Sequence, residues 1–247
     1  MAKSEKFNWV KWVSAIVIFP LMVFGPIGGW MLKLTGNAQS TTGLATWSAS
    51  IAALVPATIL LLVSIFYWSD GILRRDWQIW RQHWVKNVMW ALLAGVIMMG
   101  VLVPLTKALT GFLDTGDFAI KYSGASALSF SDVAPTFLSA IVGLFAPFYE
   151  EIVFHHAITE PFRNKAKWVY VLISIFANIM FGVVHINNVN GHWSSLIMYI
   201  VMGVWLQLVY IWGGRNIWQN IMTHMVYNGS ISLLMIFSVI ITMFFGK

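Results

Sequence analysis

Long apolar stretches alternate with short polar segments along almost the whole chain. An α-helix needs about 20 apolar residues to cross about 30 Å of hydrocarbon. The last stretch is longer than one crossing requires, and Asn228-Gly229-Ser230 near its middle would allow it to divide into two shorter helices. The pattern therefore predicts an all-α, polytopic membrane protein with seven or eight transmembrane helices, over residues 9–32, 44–68, 87–108, 133–158, 168–188, 194–212 and 216–245.

Composition agrees with a membrane protein and narrows its chemistry. The 247 residues are 59% hydrophobic and 10% charged, with a mean hydropathy of +0.75, and these values lie outside the range of soluble globular domains. No repeat or low-complexity tract interrupts the chain, so we expect one integral membrane domain over 1–247. Because the chain has no cysteine, any chemistry must use oxygen and nitrogen groups.

The basic residues indicate membrane topology rather than nucleic-acid binding. The net charge of +6 is spread over short loops instead of being gathered on one face, so we expect no nucleic-acid partner. If the spans alternate in direction, one side carries only Lys33, Lys107 and Lys121, and the positive-inside rule makes the other side, and with it the N-terminus, cytoplasmic. The basic residues predicted to be cytoplasmic are Lys3, Lys6, Lys11, Arg74, Arg75, Arg81, Lys86, Arg163, Lys165, Lys167 and Arg215.

Two of the polar segments are long enough to have a structure or role of their own. Residues 69–86 mix arginine with tryptophan and predict an amphipathic helix that lies on the cytoplasmic leaflet. Residues 109–132 are rich in glycine and serine and contain three aspartates; we interpret them as an outer connector, with a cover over an entrance as the alternative.

Two adjacent carboxylates, Glu150 and Glu151, lie inside the fourth apolar stretch. A charged side chain at this depth costs at least about 2.5–3.5 kcal/mol on insertion scales, so an ionisable group there indicates a functional site. Neighbours on a helix wheel are about 100° apart, so we expect only one of the two to point at a shared centre. Residues four apart share a helix face. Three such pairs occur in the C-terminal stretches: Glu151 with His155, Phe181 with His185, and His224 with Asn228.

The three pairs resemble the motifs of the CPBP family of intramembrane proteases, also called ABI or CAAX-prenyl-protease-like proteins. The resemblance covers about 130–230, which would be the catalytic core formed by the motif helices, and leaves 1–108 as accessory spans. Histidine stands at His155 where the family usually has arginine, and His156 follows where a small residue is usual. The family pattern is EExxxR, FxxxH and HxxxN or HxxxD, and this chain has Glu150-Glu151-xxx-His155, Phe181-xxx-His185 and His224-xxx-Asn228.

The resemblance implies an intramembrane endopeptidase that cleaves a peptide or a membrane-anchored protein in the lipid bilayer. Glu150 and His185 would activate water, and His224 and Asn228 would stabilise the oxyanion. Glu151 would support the site from behind, paired with His155 in place of the arginine. Histidine lacks the bidentate fork of arginine, so this pairing would be weaker than the one in the family.

A metal-dependent mechanism is the alternative. Glu150, His185 and His224 could supply three ligands to Zn²⁺ and leave the fourth position to water, as in catalytic zinc sites. The HExxH motif is absent, and Asn228 suits an oxyanion donor better than a zinc ligand. We therefore favour a mechanism without a cofactor.

Two other functions compete with the protease. A membrane immunity or scaffold protein, of the bacteriocin self-immunity type, would use the same polar cavity for binding, and His155 in place of arginine favours it. A small transporter would use the glutamates and histidines as a proton relay, but the chain shows no inverted repeat. A short chain without an appended domain or organellar signal favours the bacterial cell membrane.

The depth of the two motif histidines sets a test for any of these functions. His224 lies 9 residues from Arg215, and His185 lies 18 residues from Lys167. At 1.5 Å per residue, helices that start at one depth would separate these side chains by about 13 Å. A working site therefore requires a tilted helix or a helix start deeper in the membrane.

Overall fold

A computed structural model describes residues 7–24, 43–113, 133–186 and 196–245. Within these ranges every regular element is a helix, which confirms the predicted all-α class. The α-helices are α1 Trp9–Phe24, α2 Gly43–Val63, α3 Ile72–Trp80, α4 Trp84–Ile97, α5 Val103–Leu113, α6 Val133–Glu151, α7 Lys167–Val183, α8 Leu196–Trp212 and α9 Ile217–Phe245.

Several of these helices continue without a break through π-helical or 3₁₀ turns. A π-turn over Ser64–Trp68 extends α2, and another over Met98–Leu102 joins α4 to α5. A longer π segment over Ile152–Thr159 extends α6 directly after the two glutamates. π-turns inside helices are rare and are frequent at functional sites. The one after Glu151 begins where the candidate chemistry lies.

Three helices in the described part of the chain are long and apolar enough to cross a membrane: 72–110, 136–162 and 217–245. Four shorter apolar helices accompany them, over 9–23, 54–68, 167–183 and 196–212. These helices agree with an integral membrane protein. The predicted end of the first span, after residue 24, and most of the loop 109–132 lie outside the described residues.

The alternative that the last apolar stretch divides into two helices is wrong. α9 runs for 29 residues through Asn228-Gly229-Ser230. The polar side chains there bond without breaking the helix: Asn228 Nδ2 donates to the carbonyl of Gly143 on α6, and Ser230 Oγ donates to the carbonyl of Val226 within α9. Because this stretch forms one helix, the predicted number of spans is seven rather than eight.

The helix predicted in 69–86 is present as α3, and it also packs on the start of α9. Asp76 is buried, and its Oδ2 accepts a hydrogen bond from the backbone N–H of Ile217 at 2.8 Å. Trp218 Nε1 donates to the carbonyl of Leu73 at 2.7 Å. The first N–H groups of a helix have no partner within it, so Asp76 caps α9 from a different helix. α3 thereby fixes the start of the helix that carries His224.

The accessory helix α1 packs against the π segment that follows the glutamates. Trp12 Nε1 donates to the carbonyl of Ile158 at 3.1 Å. The Phe19 and Phe154 rings meet edge to face with centroids 5.0 Å apart. A π-turn leaves its carbonyls in irregular directions, and the Trp12 indole satisfies one of them.

α4 and α9 pack closely at Gly95. A Cβ atom at this position would lie 2.5 Å from Cβ of Val226 and 3.1 Å from the carbonyl oxygen of Thr223. Close backbone contact through a small residue is a common way for membrane helices to pack. At Gly100, one π-turn further along, no atom of the described residues lies within 4 Å of the corresponding position.

We predict that Gly95→Ala destabilises the protein by about 1–3 kcal/mol, the usual cost of forcing a methyl group into a packed interface. Thermal unfolding in detergent would measure the loss as a lower Tm. Gly100→Ala is the matched control and should leave the Tm within error of the wild-type value. Equal Tm values for the two variants would show that α4 and α9 do not meet at Gly95.

Candidate active site

Three helices bring two histidines to one glutamate. Glu150 lies in the last turn of α6, His185 follows the end of α7, and His224 lies in the N-terminal half of α9. Nε2 of His185 is 3.9 Å from Oε1 of Glu150, and Nε2 of His224 is 3.8 Å from Oε2. Glu150 and His224 are buried, and only 14% of the His185 side chain is exposed. These three predicted site residues therefore converge.

This convergence answers the question of depth. Both histidines lie within 4 Å of the same carboxylate, so they cannot be separated by the distance that helices starting at one depth would give. The starts of α7 and α9 must differ in depth, or the two helices must be inclined to each other.

Backbone geometry fixes the tautomer of His185. Its Nδ1 lies 2.6 Å from the carbonyl oxygen of Phe181, one helical turn earlier. A carbonyl only accepts hydrogen bonds, so Nδ1 carries the proton and donates it. In the neutral ring Nε2 then has a lone pair, and this is the nitrogen that lies near Glu150. The ring of Tyr199 on α8 stacks on His185 at 4.2 Å and holds its plane.

His224 bridges the two adjacent glutamates. Its Nδ1 is 2.7 Å from Oε1 of Glu151, and its Nε2 is on the side of Glu150. An ionised carboxylate only accepts, so Nδ1 of His224 is protonated and donates to Glu151. One imidazole therefore contacts both members of the Glu-Glu pair, each through a different ring nitrogen.

Glu151 is the most buried polar group of the site, with no exposed surface. Its Oε1 accepts from His224, and its Oε2 accepts from Nδ2 of Asn220 at 2.6 Å. Nδ1 of His155 lies 2.7 Å from the same Oε2. Its N–H is not well aligned with that oxygen, and among the described residues neither ring nitrogen of His155 meets strict hydrogen-bond geometry. The expected Glu151–His155 contact is present as a close approach, and Asn220 provides the aligned hydrogen bond.

Asn220 belongs to none of the three motif pairs, although the sequence contains a signal for it. Asn220, His224 and Asn228 are spaced by four residues, so they share one face of α9. In an otherwise apolar helix, a polar residue one turn before a motif histidine indicates a site contact as much as Asn228, one turn after it, does. Tyr199 lies outside every motif, and its stacking on His185 depends on how α7 and α8 pack.

The amide of Asn228 connects α9 to α6. Pro147 has no N–H, so it cannot donate to the carbonyl of Gly143 four residues earlier in α6. Asn228 Nδ2 donates to this carbonyl at 3.2 Å. Ser232 makes a second bond of the same kind to the carbonyl of Ala140, at 3.0 Å. One of the two N–H bonds of the Asn228 amide is thus used for packing, and the other is left for further hydrogen bonding.

Aromatic rings enclose the two histidines. Phe181 is buried, with its ring centroid 4.9 Å from that of His185 and 6.1 Å from that of His224. The Phe154 ring packs on Phe181 at 5.3 Å. This apolar wall limits the access of water and strengthens electrostatic interactions within the site.

The alternative zinc ligands, Glu150, His185 and His224, are the same three groups that converge. Within the described residues, no set of three or more histidine, aspartate or glutamate side chains has the spacing to hold a metal ion. Both Nε2 atoms nevertheless lie on the side of Glu150, and each Nδ1 has an acceptor that fixes the ring, as is usual for metal-binding histidines.

Comparison with known families agrees with this geometry. Residues 132–230 match the family model described as type II CAAX prenyl endopeptidase Rce1-like, and this segment contains Glu150, Glu151, His185 and His224. Over this segment the chain is similar to the Rce1-like family. The match confirms the resemblance to CAAX-protease-like proteins and covers less than half of the chain. No curated protein and no solved structure matches the chain. The division into accessory spans 1–108 and a core 130–230 stays a prediction.

We predict that alanine substitution at the two glutamates changes the free energy of unfolding by different amounts. Glu151→Ala would leave His224 and Asn220 buried without their partner, and breaking a buried pair in this way costs about 3–5 kcal/mol. Glu150→Ala removes a carboxylate whose buried Oε2 has no hydrogen-bond partner in the part of the chain that the structure describes, so we expect stability within about 1 kcal/mol of wild type or above it. Thermal unfolding in detergent compares the two, and a larger loss for Glu150→Ala would contradict the arrangement of the site.

Proposed function

We propose that the protein is an intramembrane endopeptidase in which Glu150 and His185 activate a water molecule. The observation that carries this proposal is the pair of distances from the Glu150 carboxylate to the two Nε2 atoms, 3.9 Å and 3.8 Å. They are too long for direct hydrogen bonds and fit a water molecule that bonds to both partners. The family match of 132–230 supports the same chemical class.

The proposed reaction is hydrolysis of a peptide bond. The water oxygen attacks the carbonyl carbon, and its proton passes to Glu150, with Nε2 of His185 accepting a hydrogen bond from the same water. The tetrahedral intermediate collapses when the C–N bond breaks, and Glu150 returns the proton to the leaving amine. General acid–base catalysis of this kind contributes typically 10²–10⁴-fold to the rate.

The oxyanion of the intermediate needs donors aimed at the developing charge. We assign this role to Nε2 of His224 in its protonated form and to the second N–H of Asn228. Glu151 holds His224 through Nδ1, so this donor is fixed before substrate binds. A fixed donor in a site with little water stabilises the transition state without reorganisation.

The position of the site supports a membrane-associated substrate. Glu150 lies in the interior of an apolar helix bundle, so a substrate must reach it from within or beside the bilayer. We propose a peptide or a membrane-anchored protein, cleaved near the cytoplasmic leaflet of a bacterial cell membrane.

Cleavage of a quenched peptide library by the protein in detergent tests the proposal. We predict that Glu150→Ala and His185→Ala each lower the rate by at least about 10²-fold. Glu160→Gln is the matched control, because Glu160 is a carboxylate paired with Arg163 and Arg215 outside the site. Wild-type rates in Glu150→Ala would contradict the assignment of the base.

The metal content of the same preparation distinguishes the two mechanisms. The proposed mechanism predicts cleavage that persists in a chelator and in samples with less than one zinc ion per chain. Activity proportional to bound zinc would instead assign Glu150, His185 and His224 as metal ligands.

A membrane immunity or scaffold protein is the second candidate function. It is favoured by His155, whose N–H is not aligned with Glu151 and which stands where the family has arginine. This function predicts that Glu150→Ala retains binding to its partner, whereas the protease requires Glu150 for cleavage.

We also propose that the N-terminus is cytoplasmic. The ion pairs Lys11–Asp70 and Glu160–Arg215 link basic segments at one end of the bundle, as expected if they share one membrane side.

The chain has no cysteine, so a single introduced cysteine reports the topology. In intact cells we expect an impermeant maleimide to label Lys121→Cys and not Lys165→Cys. The reverse pattern would invert the orientation.

A further inference from the structure

The second carboxylate, Glu151, has a partner that the motifs do not contain. Nδ2 of Asn220 donates to Oε2 of Glu151 at 2.6 Å, which is the shorter of the two hydrogen bonds to this carboxylate. Both side chains have no exposed surface. Hydrogen bonds to a charged group in such surroundings are the strong ones.

Asn220 retains this position at an energetic cost. Its Oδ1 is buried and has no hydrogen-bond partner among the described residues, and an unpaired buried acceptor costs about 1–3 kcal/mol. A leucine or alanine would avoid that cost on an apolar helix. The presence of an amide at this position is therefore explained by its Nδ2 group, which donates to Glu151.

The position of Asn220 on α9 makes Glu151 a bridge along that helix. Asn220 and His224 are four residues apart and lie on one face. Glu151 on α6 receives one hydrogen bond from each, Oε2 from Asn220 and Oε1 from His224. With both oxygens held, the carboxylate cannot rotate, and the direction of Nδ1 of His224 is fixed. Nε2 of His224 is then directed to the side of Glu150.

We propose that Asn220 is a positioning residue of the active site. Its amide fixes the Glu151 carboxylate, and Glu151 fixes the tautomer and orientation of His224. It supplies the hydrogen bond to Oε2 of Glu151, which Nδ1 of His155 also approaches, at 2.7 Å. The part of this inference that concerns catalysis rests on the proposed function, and the part that concerns His224 does not.

Nitrogen NMR of ¹⁵N-histidine-labelled protein tests the positioning directly. The chain has six histidines, and His224→Gln identifies the signals of His224. At a pH high enough for the ring of His224 to be neutral, we expect wild type to show a single tautomer with the proton on Nδ1. Asn220→Ala should shift both signals of His224 towards the values of a tautomer mixture.

Gln219→Ala is the matched control, because Gln219 is the adjacent buried amide on α9. It bonds to Trp80 and Asn87 rather than to Glu151. We expect this variant to lose stability and to keep the wild-type signals of His224. Unchanged His224 signals in folded Asn220→Ala, or the same change in both variants, would overturn the proposal.

Measuring kcat and KM of Asn220→Ala distinguishes a role in positioning His224 from a role in substrate binding. On a peptide that the wild type cleaves, we expect Asn220→Ala to lower kcat about 10–100-fold, the usual effect of removing a residue that orients a catalytic histidine, with KM little changed. An increase in KM at constant kcat would overturn the role. If wild type cleaves no peptide, the proposed function fails, and the NMR comparison still decides the role of Asn220.

A rescue experiment tests whether Asn220 provides a donor that another side chain can replace. Guanidinium presents several N–H groups in a planar fork that matches a carboxylate. We expect Asn220→Ala with His155→Arg to regain at least tenfold in kcat and the single His224 tautomer. If the double variant folds and regains neither, then Asn220 does not act by donating to Glu151.

Discussion

The hydrogen bonds that converge on the buried Glu151 carboxylate are the interaction on which the site depends. This side chain has no contact with solvent, and two donors from α9 satisfy its oxygens. A charge in such surroundings is tolerated only when it is paired and hydrogen-bonded. Asn220 and His224 provide the pairing, and both donate from one face of α9 to the same carboxylate on α6. The capping of α9 by Asp76 and the close contact at Gly95 then hold this helix in the same position from its other faces.

The two neighbouring glutamates have opposite relations to their surroundings. Both oxygens of Glu151 accept hydrogen bonds, whereas the buried Oε2 of Glu150 has no hydrogen-bond partner within the described ranges, and the Glu150 carboxylate lies 3.8–3.9 Å from two imidazole Nε2 atoms. A satisfied network makes a protein rigid, and an unsatisfied group at its centre is available for chemistry. Adjacent residues on a helix point about 100° apart. This step directs the Glu151 side chain to Asn220 and Nδ1 of His224, and the Glu150 side chain to the Nε2 atoms of His185 and His224.

The helices and the side chains of the motif pairs can be predicted from the sequence. The residues on other helices that contact and position these side chains cannot. Spans and motif pairs follow from periodicity along one chain, so His185 and His224 can be identified from the spacing of residues. The choice of Glu150 rather than Glu151 as the acting carboxylate rests on the resemblance to CAAX-protease-like proteins. Asn220 and Asp76 cannot be identified, because their roles are defined by a contact with another helix. The alternative of a break at Asn228 is wrong for a related reason: the polar side chain that suggests a break donates to a carbonyl of α6 that Pro147 leaves free.

The central claim is that Glu150 and His185 act on one water molecule, and a double-mutant cycle on kcat/KM tests it most directly. Groups that act as a unit give losses that do not multiply. The account predicts that Glu150→Gln combined with His185→Ala is no slower, within about a factor of three, than the slower of the two single variants. Losses that multiply across the cycle would contradict it, because they would show that the two side chains act independently.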